Sequence, residues 1–130
     1  YVALQSARPD GFTIGTINTP GYLSLGVQRR VRYDVAQIRL LARLVDDPSA
    51  FVVHRDAPWR TLRDLVADAR RRPGVISVAS SGVGTDDHLG LTLLEAASGT
   101  EFIHAPFAGA GPVRNALLGR QIDVAGLNLG

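Results

Sequence analysis

The clearest pattern along the chain is a stripe of apolar residues at the spacing of one helix face, formed by Leu62, Leu65, Val66 and Ala69. Thr61 precedes this stripe and Asp64 follows three residues later, which is a variant of the capping box that begins many helices. Pro73-Gly74 ends the pattern. A helix is therefore predicted between Thr61 and Pro73.

Apolar runs alternate with further helical patterns along the rest of the chain. Residues 12–17 have strand composition and follow the turn Pro9-Asp10-Gly11, and two more apolar runs cover residues 38–45 and 50–54. The remaining predicted elements are strands at 75–79, 102–105 and 122–129, and helices at 86–97 and 112–118. This order, β-α-β-α-β-α-β, is typical of an α/β fold with a mostly parallel sheet covered by helices.

Composition and charge exclude several classes of protein. Hydrophobic residues make up 45% of the chain, and no apolar run approaches the roughly 20 residues of a membrane helix. All 14 basic residues are arginine, and they are scattered except for Arg70-Arg71-Arg72, which lies where a helix should end and where cations complement its dipole. Since no aromatic residues interleave with this run, we exclude nucleic acid as a partner.

The absence of cysteine excludes disulfides, thiol catalysis and thiolate zinc sites. The first residues, Tyr1-Val2-Ala3-Leu4, lack the pattern of a signal peptide, so the visible chain is silent on export. Both ends lie in apolar residues, where edge strands would lack partners. We therefore expect the chain to be a cut piece of a longer protein, and we expect this piece to self-associate.

The stretch of residues 80–85 is the most informative about function. It follows a predicted strand and begins a helix, so its unpaired backbone N–H groups and the helix dipole favour an anion. Gly82 and Gly84 allow the backbone to approach a ligand closely. Ser81 and Thr85 add hydroxyl donors. The stretch matches neither a dinucleotide fingerprint nor a P-loop, and the plain structural alternative is a tight turn with Thr85 as N-cap.

A second glycine-rich stretch, residues 106–112, also follows a strand and begins a helix, with Pro112 in the first turn. The carboxyl ends of neighbouring parallel strands lie at the same edge of a sheet, and open α/β sheets bind their ligands there. The pair of loops therefore favours a small anionic ligand more strongly than either loop alone.

The histidines, His54, His88 and His104, show no metal-binding spacing and no accompanying carboxylate cluster, so neither a metal nor a cofactor is predicted. His88 lies one turn inside the second helix, where an orienting or packing role near the loop is expected. A catalytic triad of Ser81, His88 and Asp86 is excluded, because Gly-x-Ser-x-Gly is missing and helix residues two apart do not face each other.

Two acidic residues, Asp86 and Asp87, fall in the first turn of the same helix. The helix dipole favours acids at this position, and this accounts for both residues without any ligand. The functional alternative is that one carboxylate meets a cationic or hydroxyl group of the ligand.

Seven blocks, in this order, resemble the Bug-type, or TctC-like, receptors of tripartite tricarboxylate transporters. They are residues 8–14, 31–34, 51–53 with 62–65, 80–85 with 88–89, 103–109, 117–121 and 123–124. The resemblance implies a periplasmic-binding-protein-like fold of type II, in which two lobes close on a carboxylate. Residues 1–47 would form a partial first lobe, 48–126 a nearly complete second lobe, and 127–130 the start of the return crossover.

The resemblance also implies a function and a site. The function is that of a periplasmic solute-binding protein, not an enzyme, which passes a small organic acid or amino acid to the membrane permease subunits of a transporter. The implied ligand-binding residues of the second lobe are Ser81, Gly82, Val83, Gly84, Thr85 and Asp86, with Phe107 and Gly109. Those of the first lobe are Thr16, Asn18 and Thr19.

The chain departs from the family pattern in two respects. The family's N-terminal strand with its glycine-rich loop and its C-terminal return to the first lobe are missing. The pair Asp86-Asp87 replaces small polar residues, which disfavours a highly anionic ligand such as citrate. Two alternatives stay open: an α/β transferase or hydrolase that holds an anionic substrate with the same loop, and a sensing module on the same scaffold.

Overall fold

The computed structural model describes residues 1–28 and 30–129. The chain divides into two compact units, Tyr1–Asp46 and Asp47–Gly130, called here the first unit and the second unit. Within the described ranges, no helix is both long enough and apolar enough to cross a membrane.

The first unit is built around three tyrosine rings. Its helices are α1 (Val2–Gln5), α2 (Gly21–Gln28) and a 3₁₀ helix (Val35–Gln37). Tyr22 is buried in α2, with the ring of Tyr1 edge-on at 4.8 Å between centroids and the ring of Tyr33 stacked at 5.2 Å. The Tyr33 hydroxyl donates to the Tyr22 carbonyl at 3.1 Å. Aromatic packing of this kind holds α2 to the segments before and after it.

The strand predicted at residues 12–17 is wrong, because this segment has no regular secondary structure. Phe12 is 92% exposed and Ile14 is 78% exposed. The apolar run 38–45 likewise contains no strand. A strand needs a neighbour to satisfy its N–H and C=O groups, and the described part of the first unit contains no strand that could serve as one.

The second unit contains every element predicted after residue 48, with bounds shifted by a few residues. These elements are β1 (Ser49–Val53), α3 (Leu62–Arg71), β2 (Ser77–Ser80), α4 (Asp86–Ser98), β3 (Ile103–Pro106), α5 (Ala110–Leu118) and β4 (Val124–Asn128). The strand order is β1-β4-β2-β3. Strands β3, β2 and β4 are parallel, and β1 lies antiparallel to β4 at one edge. The mostly parallel sheet is thus confirmed, with one antiparallel edge strand.

Alternation along the central strands divides the core into two layers. Val78 and Val124 point to the face covered by α3 and α4, where Leu65 and Leu91 pack. Ala79 and Ala125 point to the other face, which α5 covers with a second apolar cluster. Each buried valine or leucine contributes about 1.5–3 kcal/mol. The sheet therefore lies between helices on both of its faces.

The ends of α3 follow the sequence pattern closely. The Thr61 hydroxyl accepts from the Asp64 N–H at 3.2 Å and the Asp64 carboxylate accepts from the Thr61 N–H at 2.8 Å, so the predicted capping box is confirmed. At the other end, Arg70 donates to the Ser98 carbonyl at 2.8 Å, which ties α3 to the end of α4. The arginine run therefore lies at the end of a helix, as predicted, and Arg70 also binds the end of a second helix.

Candidate functional site

The two glycine-rich loops lie side by side at the carboxyl edge of the sheet. Strands β2 and β3 are parallel neighbours, and the chain leaves both at this edge. The N–H of Phe107 donates to the Ser80 carbonyl at 2.9 Å, and the N–H of Gly109 donates to the Ser81 carbonyl at 3.1 Å. The predicted adjacency of the loops is therefore confirmed, since backbone hydrogen bonds join them directly.

The first turns of α4 and α5 present backbone donors at this edge. In α4, the N–H groups of the first three residues have no hydrogen-bond partner within the described residues. In α5, the N–H groups of Ala110 and Gly111 have none in that part of the chain either, and Pro112 carries no N–H. Such donors, together with the positive ends of two helix dipoles, favour a negatively charged group.

The two hydroxyl groups of the first loop both have acceptors within the second unit. Ser81 Oγ donates to Asp87 Oδ2 at 2.6 Å, and Thr85 Oγ1 donates to the Gly82 carbonyl at 2.8 Å. Each hydroxyl has a single proton, so neither is left as a donor to a ligand. Thr85 is the N-cap residue of α4 but makes no side-chain cap bond. Thr85 thus occupies the N-cap position of the structural alternative, and a ligand-binding role for Ser81 and Thr85 stays a prediction.

Glycine conformation shapes the loop at Gly84, which has φ of +83° and is buried. L-residues rarely adopt this region, so a larger residue at this position would strain the turn. The N–H of Gly84 donates to His88 Nδ1 at 3.0 Å. This bond confirms the expected orienting role of His88 near the loop.

A second histidine lies against the first, which the sequence analysis did not anticipate. The rings of His88 and His104 stack with centroids 4.2 Å apart and planes 12° apart. His104 Nε2 is 2.7 Å from Ser80 Oγ, which itself donates to the Gly82 carbonyl at 3.0 Å. Burial, and next the neighbouring His88, lower the pKa of His104 below its usual value. Folding therefore favours the neutral form of the His104 ring.

The acidic residues at the start of α4 have partners from distant parts of the second unit. Asp87 is 2% exposed and accepts from Ser49 Oγ at 2.8 Å and from Ser81 Oγ. Asp86 Oδ2 accepts from Asn128 Nδ2 at 2.7 Å. A dipole preference alone therefore does not account for these two acids. The sequence holds no local signal for Ser49 or Asn128, since only the fold brings them to α4.

The predicted ligand residues fall into two groups. The structure brings together, at the carboxyl edge of the sheet, Ser81, Gly82, Val83, Gly84, Thr85, Asp86, Phe107 and Gly109. The other predicted residues, Thr16, Asn18 and Thr19, are exposed in the segment of the first unit that precedes α2. The Asn18 carbonyl accepts from the Tyr22 N–H at 2.8 Å, so this segment begins α2. A ligand-binding role for either group stays a prediction.

Two apolar side chains, Val83 and Phe107, lie within the loops. Val83 is 61% exposed and Phe107 is half-buried. Among the described residues, no group of three or more histidine, cysteine or acidic side chains has the arrangement of a metal site. The edge thus combines backbone donors for an anion with apolar side chains for a carbon skeleton.

Known proteins with similar sequences point in one direction. The family model described as "Tripartite tricarboxylate transporter family receptor" matches residues 2–129. The UPF0065 protein in the tcbD-tcbE intergenic region of Pseudomonas sp. (strain P51) is 37% identical over 129 residues, which cover 93% of this chain and 36% of that protein. The chain spans about a third of the length of these curated relatives.

Solved structures agree with this assignment. A TctC solute-binding protein from Polaromonas, solved without ligand, is 36% identical with a TM-score of 0.60, and the match covers 64% of this chain and 28% of that one. The R. palustris protein Rpa4515, solved with adipate, is 26% identical with a TM-score of 0.61 over 64% of this chain and 28% of that one. The periplasmic-binding-protein-like α/β fold and the resemblance stated above are confirmed. The chain belongs to the tripartite tricarboxylate transporter receptor family, the TctC or Bug-type solute-binding proteins.

Proposed function

We propose that this chain supplies the anion-holding edge of a periplasmic receptor that captures a small organic carboxylate and delivers it to the membrane permease subunits of a tripartite transporter. One observation carries the proposal: two helix starts with unpaired N–H groups lie side by side, joined by the bond from Gly109 to Ser81. A carboxylate placed there would meet donors from both helices and the positive ends of both dipoles.

Backbone donors supply a large share of the free energy that binding requires. A hydrogen bond to a charged group contributes about 1.5–3 kcal/mol, and micromolar affinity corresponds to about 8 kcal/mol. Three such bonds, with contacts from Val83 and Phe107 to the carbon skeleton, bring a monocarboxylate or dicarboxylate near this range. A relative solved with adipate supports a ligand of this class.

The lobe assignment is part of the same proposal. Residues 1–47 would belong to the first lobe, 48–126 to the second, and 127–130 to the crossover that returns to the first. Thr16, Asn18 and Thr19 would then add donors from the first lobe when the receptor closes on its ligand.

A receptor is favoured over a hydrolase or transferase by the state of the serines. Ser81 Oγ donates to the Asp87 carboxylate rather than to a histidine, so the serine–histidine pair of a hydrolase is not formed at Ser81. Ser80 does contact His104, but it is 1% exposed and its proton goes to the Gly82 carbonyl. The nearest serine–histidine pair is therefore shielded from any ligand at the loop.

The test is calorimetry on the mature protein purified from its host, with adipate, benzoate and glutamate as probes and native mass spectrometry to catch a retained ligand. Gly111→Ala adds a methyl group at the first turn of α5, where an added Cβ meets nothing within 4 Å. We expect this variant to fold and to weaken binding of the best probe by about 10-fold or more, because the methyl occupies the space next to the donors.

The matched control is Gly90→Ala in the second turn of α4, where an added Cβ also meets nothing within 4 Å. Both substitutions raise helix propensity by about 0.8–1 kcal/mol, so they affect stability alike. Equal affinities of the two variants would contradict a ligand at this edge, and a protein that binds none of the probes would contradict the carboxylate class.

A further inference from the structure

A buried carboxylate lies directly beneath the two loops. Asp87 is the second residue of α4 and is 2% exposed. Its Oδ1 accepts from Ser49 Oγ at 2.8 Å, and its Oδ2 accepts from Ser81 Oγ at 2.6 Å and from the Ser81 N–H at 3.3 Å. Hydrogen bonds to a charged acceptor are stronger than those between neutral groups. These three bonds therefore hold Ser49 and Ser81 firmly against Asp87.

Gly126 of β4 lies close against Asp87. A Cβ added at Gly126 of β4 would lie 2.8 Å from the Asp87 Cβ, closer than real Cβ atoms approach. The missing side chain of Gly126 therefore lets the start of α4 pack against the sheet at the depth where Asp87 reaches both serines. The fold thus provides a place for this carboxylate as well as donors for it.

Ser81 is hydrogen-bonded both to Asp87 and to the second loop. Its N–H and hydroxyl bind Asp87, and its carbonyl accepts from the Gly109 N–H of the second loop. The position of Ser81 therefore determines how the first turn of α5 lies relative to the first turn of α4. Ser81 therefore links both sets of donors that the proposed function uses, next to the bond from Phe107 to Ser80.

We propose that Asp87 is a positioning residue, which holds Ser81 so that the backbone donors of α4 and α5 converge on one ligand group. This inference rests on the proposed function for its biological purpose, but the positioning itself can be measured without a ligand. Asp87 does not touch the ligand in this proposal, because its carboxylate is buried and its bonds point to Ser49 and Ser81.

The chain offers a matched control at the other end of β2. Asp123 Oδ2 accepts from the Ser77 N–H at 2.8 Å and from Ser77 Oγ at 2.7 Å, which repeats the chemistry of Asp87 with Ser81. Ser77 is the first residue of β2 and Ser80 the last, so the control lies at the opposite edge of the sheet. Removing this carboxylate tests the general cost of losing such a pair without disturbing the loops.

The experiment is amide hydrogen exchange on the mature, ligand-free protein and on its Asp87→Ala and Asp123→Ala variants. We expect Asp87→Ala to speed exchange at Gly84 and Gly109 by about 10-fold or more, because Ser81 loses a charged acceptor. Asp123→Ala should instead speed exchange at Ser77 and leave Gly84 and Gly109 unchanged. Asp87→Asn retains an acceptor oxygen for Ser81 and should stay within about 3-fold of the parent protein.

Equal exchange at Gly84 and Gly109 in the two alanine variants would overturn the proposal. If Asp87→Ala does not fold, Gly126→Ala tests the same proposal, because its methyl group displaces Asp87 and leaves the carboxylate in place. Unchanged exchange at Gly84 and Gly109 in that variant also overturns the proposal. Calorimetry with adipate, benzoate and glutamate then separates the two ideas. A parent protein that binds none of them contradicts the proposed function, while the exchange data still decide the role of Asp87.

Discussion

The two units use strand-like sequence in opposite ways. In the second unit, four strands form one sheet, and residues such as Val78 and Val124 are almost fully buried between helices. In the first unit, the apolar segments 12–17 and 38–45 form no strand, and residues such as Phe12 and Leu41 are 92% and 76% exposed. The contrast teaches that strand composition produces a strand only where a partner satisfies the backbone and helices cover the faces.

The largest expected effect comes from matched leucine truncations in the two units. Leu91 is 2% exposed in the core and Leu41 is 76% exposed. We expect Leu91→Ala to lower the free energy of unfolding by about 2–5 kcal/mol through a cavity, and Leu41→Ala to change it by less than about 0.5 kcal/mol. Denaturant titration followed by the fluorescence of Trp59, the single tryptophan, reports on the core of the second unit.

Similar losses in both leucine variants would contradict the division into a packed unit and an open one. Leu94→Ala, at a partly buried position against the same core cluster, should give an intermediate loss and so sharpen the scale.

The next effect concerns association of the 130-residue chain through its exposed apolar segments. Phe12, Ile14, Leu40, Leu41 and Leu44 are all more than 60% exposed in the first unit. We expect light scattering to show dimers or larger species, because unpaired apolar segments pair with copies of themselves. Leu41→Glu should lower the mean mass, whereas Leu93→Glu, at a residue of the second unit that is 70% exposed, should leave it unchanged. A monomeric parent chain would contradict this prediction.

The smallest expected effect is a pH dependence that arises within the second unit. The pKa of His104 is lowered in the folded state, chiefly by burial and next by His88. The unfolded chain therefore binds a proton more readily, so the stability contributed by neutral His104 is complete above about pH 6.5 and is lost as pH falls through the lowered pKa. We expect thermal midpoints to fall between pH 7 and pH 5.

His104→Phe keeps an aromatic ring against His88 and removes the titrating group. It should therefore flatten the fall in the thermal midpoint between pH 7 and pH 5. A fall of equal size in the parent protein and in this variant would assign the pH dependence to other groups.

The local sequence pattern was sufficient to predict the helices and strands of the second unit and part of its candidate site. The capping box at Thr61 and Asp64 and the glycine-rich loop at residues 80–85 depend on neighbours in sequence, so they were predicted correctly. The adjacency of the two loops followed from a rule about parallel strands. The acceptors of the Ser81 and Thr85 hydroxyls, Asp87 and the Gly82 carbonyl, could not be predicted, because they depend on how the loop folds back.

The sequence by itself determined the family, the α/β class and the order of the elements from residue 49 onward, because periodicity, caps and glycine-rich turns act over a few residues. Only the tertiary structure decided which of the strand-like segments pair, since pairing needs a partner distant in sequence. It likewise decided that Ser49 and Asn128 bind the first two acids of α4 and that His104 stacks on His88. Contacts between residues 16 to 42 positions apart leave no local trace in the chain, yet they shape the edge where the ligand is proposed to bind.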